Sequence, residues 1–157
     1  MTARPDEWDR AAWGGFYTRL QQSIEGHWDY VANPSGGFMG FWWGWQEVEG
    51  GRLYLQLEQR SLVVRLAVEE GARQEPGQDR RSLREVWSRR VREITAPRFR
   101  RPDRFGSGNT MTVAVAEEGY LAETDDGRID IDGTIGMLRE AERAVAAAIE
   151  AASVPSA

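Results

Sequence analysis

Phe38-Met39-Gly40-Phe41-Trp42-Trp43-Gly44-Trp45-Gln46-Glu47-Val48 decides the fold. Five of its eleven residues are aromatic, a type that suits a pleated, half-buried surface. Glu49-Gly50-Gly51 follows, and a glycine pair reaches the positive φ angles that a tight hairpin turn needs. Beyond that turn Leu53, Leu55 and Leu57 alternate with Tyr54, Gln56 and Glu58. A third run alternates Leu62, Val64, Leu66 and Val68 with Val63, Arg65 and Ala67. A period of two is the strand signature, so three antiparallel strands are expected over Phe38 to Val48, Arg52 to Gln59 and Leu62 to Glu69, greasy on one face and mixed on the other. Strict alternation puts Met39, Phe41, Trp43 and Trp45 on one face. Phe38 and Trp42 fall on the other, where Gly40 and Gly44 leave space beside Trp42.

Upstream, Pro5 with Asp6 and Glu7 suits a helix start, and Trp8, Ala12, Phe16, Leu20 and Ile24 recur every four residues, predicting a first helix that ends near Gly26. Asn33-Pro34-Ser35-Gly36-Gly37 reads as a turn-rich break. Downstream, a polar loop holding Pro76-Gly77 precedes a second helix, capped by Asp79 or Ser82, with Leu83, Val86, Trp87, Val91 and Ile94 on one stripe. Pro97 stops it. An irregular stretch from Arg98 to Thr110 leads into a fourth strand, Met111 to Ala116, and a short fifth around Tyr120 to Glu123. From about Thr134 a last helix turns Ile135, Leu138, Val145 and Ile149 to the core. The expected fold is α+β, an antiparallel five-stranded sheet packed by helices in the order αβββαββα. It forms a single domain over residues 1–152, with a disordered tail at 153–157.

The composition excludes much chemistry. The 157 residues include no cysteine, no lysine, one histidine, 20 arginines and 25 acids, a net charge of −5. Thiol catalysis, disulfides, iron–sulfur clusters and cysteine-built zinc sites are out of reach, and one imidazole cannot supply a paired-histidine mechanism. No apolar run approaches the roughly 20 residues of a bilayer span, and the N-terminus lacks a secretory segment, so a cytoplasmic protein without membrane contact is expected.

Charge and aromaticity are both lopsided. Residues 80–104 hold ten arginines against Glu85, Glu93 and Asp103, a local net of +7. Residues 117–132 hold seven acids against Arg128, a local net of −6. The two segments either neutralise one another or polarise the molecule. Twelve of the 16 aromatic residues lie at or before Tyr54.

Several motifs fall short of a site. Asp130-Ile131-Asp132-Gly133 resembles the middle of a calcium loop, but Arg128 and Arg139 stand where carboxylates are required. Phe105-Gly106-Ser107-Gly108-Asn109-Thr110 has a phosphate loop's glycines, yet no lysine, and it opens a strand instead of a helix. His27 has Ser23 one turn upstream and nothing that completes a triad. Two candidates remain. Arg80, Arg81 and Arg84 on the second helix, with Arg98, Arg100, Arg101 and Arg104 around Phe99 and Phe105, interleave guanidinium forks with rings, as phosphate contact and base stacking require. Phe38, Trp42, Trp43 and Trp45 on the first strand offer an aromatic surface to a partner, with burial or self-association as the alternatives.

Phe16-Tyr17, Trp28, Ser35-Gly36-Gly37-Phe38 through Phe41-Trp42, Tyr54-Leu55-Gln56-Leu57-Glu58, and Arg101-Pro102 through Phe105-Gly106 to Asn109-Thr110-Met111-Thr112-Val113-Ala114 together resemble the C-terminal accessory region of bacterial PD-(D/E)XK nuclease-superfamily proteins. The resemblance implies a module that works beside a nuclease in restriction-like or phage-defence roles, on DNA or on a partner protein. It carries over no catalytic residue: that active site needs a lysine, and this chain has none. The element order alone is similar to the small acidic, dimeric type III secretion chaperones, which hold unfolded protein segments against apolar patches. A recognition module without catalytic activity or cofactor is therefore expected, binding nucleic acid or a nuclease or other protein partner, with a homodimeric adaptor as the alternative.

Overall fold

A computed structural model describes residues 4–69, 79–106 and 108–153. The fold is α+β: three helices lie on one face of a six-stranded, wholly antiparallel sheet. A 3-10 turn over Pro5–Glu7 precedes α1 (Arg10–Gln21), followed by β1 (Gly26–Val31), β2 (Phe38–Val48), β3 (Gly51–Glu58) and β4 (Ser61–Val68). Then come α2 (Arg80–Arg92), β5 (Phe99–Arg100), β6 (Thr110–Ala116) and α3 (Ile131–Ser153). The spatial order is β1-β2-β3-β4-β6-β5. α1 packs on β1 and β2, α2 on β4, β5 and β6, and α3 touches both helices and β2. Among the described residues no helix is long and apolar enough to cross a membrane.

The hairpin core matches its periodicity. Leu53, Leu55, Leu57, Leu62, Val64, Leu66 and Val68 all point under the helices and are buried with Met39, Phe41 and Trp43. Each such side chain contributes about 1.5–3 kcal/mol through removal from water. Asp79 caps α2 by accepting from Ser82 N at 2.7 Å, and the same hydrogen bond holds its carboxyl below the ordinary range.

Four expectations are corrected. The first helix ends at Gln21, and Gly26–Val31 is a sheet strand. Trp28 continues the four-residue spacing from Ile24, but Trp28 and Tyr30 also alternate with His27 and Asp29, and pairing with β2 selects the strand. Phe99–Arg100, read as irregular, pairs with Val115 and Ala116 to make the sixth strand. The expected strand at Tyr120 to Glu123 is reduced to one bridge, Glu123 with Ile129, because Tyr120 leaves the sheet to enter the core. The last helix begins at Ile131, where Asp130 accepts from Gly133 N at 3.0 Å and caps it three residues earlier than expected. The loop at Pro76-Gly77 and the tail beyond residue 153 lie outside the described residues.

Two phenols clamp the β3–β4 turn, where Gln59 takes the left-handed conformation (φ 56°). Tyr17 OH donates to Met39 O at 2.8 Å and accepts from Gln59 N at 3.2 Å, while Tyr120 OH donates to Gln59 O at 2.5 Å. Burial disfavours the phenolate of both, so they titrate above the ordinary 10.0. The unfolded chain ionises them from about pH 10 and the folded chain only at higher pH. Their stabilising contribution is whole below pH 10 and shrinks above it, by about 1.4 kcal/mol per pH unit for each. Urea midpoints between about pH 8 and pH 11.5 test this. The fall above pH 10 is expected to be about half as steep in Tyr17→Phe, and a flat wild-type profile contradicts it.

Candidate nucleic-acid interface

β6 runs between two ends of opposite charge. At its start, Val68 N donates to Asn109 O at 2.7 Å, and Gly50 lies against Leu83, so the β2–β3 turn, the start of α2 and the β5–β6 loop share one end. Arg80, Arg81, Arg84, Arg101 and Arg104 are there. At the other end Tyr120 ties the loop after β6 to the β3–β4 turn, and that loop carries Glu117, Glu118, Glu123, Asp125 and Asp126, all exposed. Seven residues of strand separate the ends, about 20 Å. Among the described residues no ion pair joins segment 80–104 to segment 117–132. The arginines at the start of β6 are thus set apart from these acids.

At the basic end two guanidiniums pack on the Phe105 ring, that of Arg84 at 4.9 Å and that of Arg101 at 4.6 Å from its centroid. Arg84 also donates to Gly106 O at 3.1 Å, and its buried Nε has no hydrogen-bond partner among the described residues. Arg101 pairs with Glu85 at 3.1 Å while its side chain stays 53% exposed. The ring and the carboxylate fix the plane of this guanidinium and leave other donors free. A fork held this way loses little rotamer freedom when it meets a planar or anionic ligand. Arg100, on β5, leans toward Asp103 at 3.5 Å, and Arg104 is exposed with no ion pair among the described residues. Asp79, Glu85 and Asp103 stand against Arg80, Arg81, Arg84, Arg101 and Arg104, leaving a local net of +2.

Arg98 does not join this cluster. It precedes β5 at the opposite end of the ladder, where Glu117 N donates to its carbonyl, and it lines a 260 Å³ cleft with Glu118 and Glu140. Arg100 also departs from it, because β5 sets it opposite Val115 near the far end of β6, so five of the seven expected arginines share one region.

Among the described residues no helix lies on the other face of the sheet, and that face reassigns the aromatic strand. Trp43, expected at a partner surface, is 1% exposed and packs on Phe41 in the core. Trp45, expected on the same face as Trp43, is on the open face. A bulge between Trp43 and Gln46 inserts one residue, with Gly44 at φ 70°, and flips every side chain that follows. Trp45 is 45% exposed, stacks on Tyr54 with centroids 3.9 Å apart, and carries the Arg52 guanidinium 4.7 Å from its ring. Phe38 and Trp42 lie on the open face as expected, both half-buried.

Tyr54, Gln56, Glu58, Arg52 and Arg65 were not singled out in the sequence, yet they organise this face. Trp42 Nε1 donates to Gln56 Oε1, and Gln56 Nε2 donates to Glu58 at 2.8 Å. Arg65 reaches Tyr54 OH at 2.9 Å, Thr112 at 3.1 Å and Thr110 at 2.9 Å. The clue was present in their alternation with leucine and valine. Only the register showed which of them meet.

A cleft of about 620 Å³ at the bulge is lined by Glu25, His27, Trp42, Trp45, Arg139 and Glu142. Arg139 is occupied with Ser23 O at 2.9 Å, and no group of three metal-ligating residues forms among the described residues. Comparison of the chain with family models, with curated proteins and with solved structures finds no match.

Proposed function

We propose that this protein is a recognition module that binds single-stranded nucleic acid at its basic end, without catalysis of its own, as a companion to a nuclease. One observation carries the proposal: the Arg84 and Arg101 guanidiniums packed on the Phe105 ring, with Arg80, Arg81 and Arg104 at the same end and the acids of the loop after β6 at the far end. Guanidiniums fixed against rings offer flat surfaces for bases and forks for phosphate oxygens. Charge separation supports the same reading, because a molecule of net charge −5 binds a polyanion only if its cations are gathered where its acids are not. The surface is too local to span a long duplex, and a strand with unstacked bases uses both the rings and the forks.

Fluorescence anisotropy with a labelled oligonucleotide of about 12 nucleotides tests this. With about five phosphates neutralised, log K falls against log salt with a slope of about −3.5, so affinity drops roughly a hundredfold between 50 and 200 mM salt. Binding that ignores salt, or no binding at low salt, rejects the proposal.

A further inference from the structure

We infer that the open sheet face is covered by a second copy of the same chain, packed face to face with its strands running opposite to the first. The face is five strands wide over about seven residues, with the two-residue β5 at its edge. At about 4.8 Å per strand spacing and 3.3 Å per residue it covers on the order of 550 Å². Two such faces bury about 1,100 Å², enough for a specific interface. Beside β3 on this face stands Trp45, one of only two large apolar side chains exposed among the described residues, on a sheet side that no described helix covers.

The register identifies the occupant. Leu55 is the midpoint of a symmetric series on β3: Tyr54 and Gln56 lie one residue to either side, Arg52 and Glu58 three residues to either side. Trp43 sits opposite Leu55 on β2, with Trp42 opposite Gln56 and Trp45 beside Tyr54 across the bulge. Consider a two-fold axis lying in the interface and crossing the strands at the level of Leu55. It brings Arg52 of each copy over Glu58 of the other, and Trp45 over Trp42. Glu47, which leans on Arg52 at 4.0 Å, comes over Gly40, where no side chain stands. An isologous contact requires a surface to complement itself in this way, with the cation and the anion equidistant from the axis. The other in-plane axis, along β3, stacks Arg52 on Arg52 and Glu58 on Glu58, which opposes like charges. The modest rotation between aligned, packed sheets preserves pairs this close to the centre. The arrangement sends the two basic ends to opposite extremes of the dimer, so nucleic-acid contact and dimerisation are separable.

The experiment is sedimentation equilibrium of the full chain at tens of micromolar, without nucleic acid. The expected mass is twice 17.7 kDa. Arg52→Glu and Glu58→Arg, each at an exposed or half-buried site, are expected to weaken association at least tenfold when made singly. The doubly reversed chain is expected to recover it, because opposite charges then face each other again across the axis. Far-UV circular dichroism and urea midpoints check that each variant is folded. A monomeric wild type overturns the inference and leaves the face to a foreign partner. So does Arg52→Glu that tightens the dimer, which points to the axis along β3, or a folded double variant that does not recover. Because no nucleic acid is present, none of these results touches the basic-end proposal.

Discussion

Trp43→Ala is expected to cost about 3–5 kcal/mol of folding stability, whereas Trp45→Ala, two residues on, costs less than about 1 kcal/mol. Trp43 is 1% exposed, sits in the aromatic group of Phe41 and Tyr17 beneath α1, and leaves a cavity that a close-packed sheet cannot close. A domain of this size is stable by about 5–15 kcal/mol, so the Trp43 variant loses a large share of its margin. Trp45 is 45% exposed, and its loss removes a stack on Tyr54 without opening the core. Trp42 falls between them. Its removal leaves Gln56, itself 3% exposed, without one hydrogen bond, which costs about 1–3 kcal/mol. Urea denaturation of the three variants checks the ranking. Equal losses for Trp43→Ala and Trp45→Ala indicate that the side chain after the bulge is not on the open face.

Replacing Arg81, Arg101 and Arg104 together by alanine is expected to lower affinity for a single-stranded oligonucleotide by about 10³-fold at low salt. Each charge-assisted hydrogen bond to an anionic oxygen contributes about 1.5 kcal/mol or more. Three of them correspond to roughly three decades, and the salt slope falls in magnitude by about 2. Stability changes little, since the ion pair lost, Arg101 with Glu85, is exposed. Phe105→Ala is expected to weaken binding about 5- to 100-fold with the slope unchanged, because it removes the ring that orients the Arg101 guanidinium and no charge. Arg98→Ala serves as the internal control, because Arg98 lies at the other end of the ladder beside Glu118. A change there equal to that of the triple variant indicates general screening of the molecule's field and not a localised site.

The two predictions depend on different kinds of information. The hairpin core, the helix stripes and the Asp79 cap follow from local rules: a period of two or of about four, a turn that needs glycine, a side chain that accepts the first amides of a helix. These rules act within a few residues, so they are written in the chain and the fold obeys them. The first helix was misjudged at its end because Ile24 and Trp28 satisfy both periods, and the choice is made by a partner strand that local spacing does not contain. β5 has only two residues, and its existence depends on β6 offering a free edge.

The sequence alone determined that this is a lysine-free, cysteine-free, charge-polarised α+β chain with one greasy sheet face and an arginine-rich segment that rings interrupt. Tertiary structure decided which of those residues can act. Gly44 at φ 70° adds one residue to β2 and so exchanges the faces of everything after it, sending Trp43 inward and Trp45 outward. The length of β6 places Arg80, Arg81, Arg84, Arg101 and Arg104 at the end away from the acids that follow it, and leaves Arg98 and Arg100 nearer to them. Register and strand length are sums over long-range pairings, and a one-residue change in either inverts a face or moves a charge across the molecule, which is why no local reading of the chain supplies them.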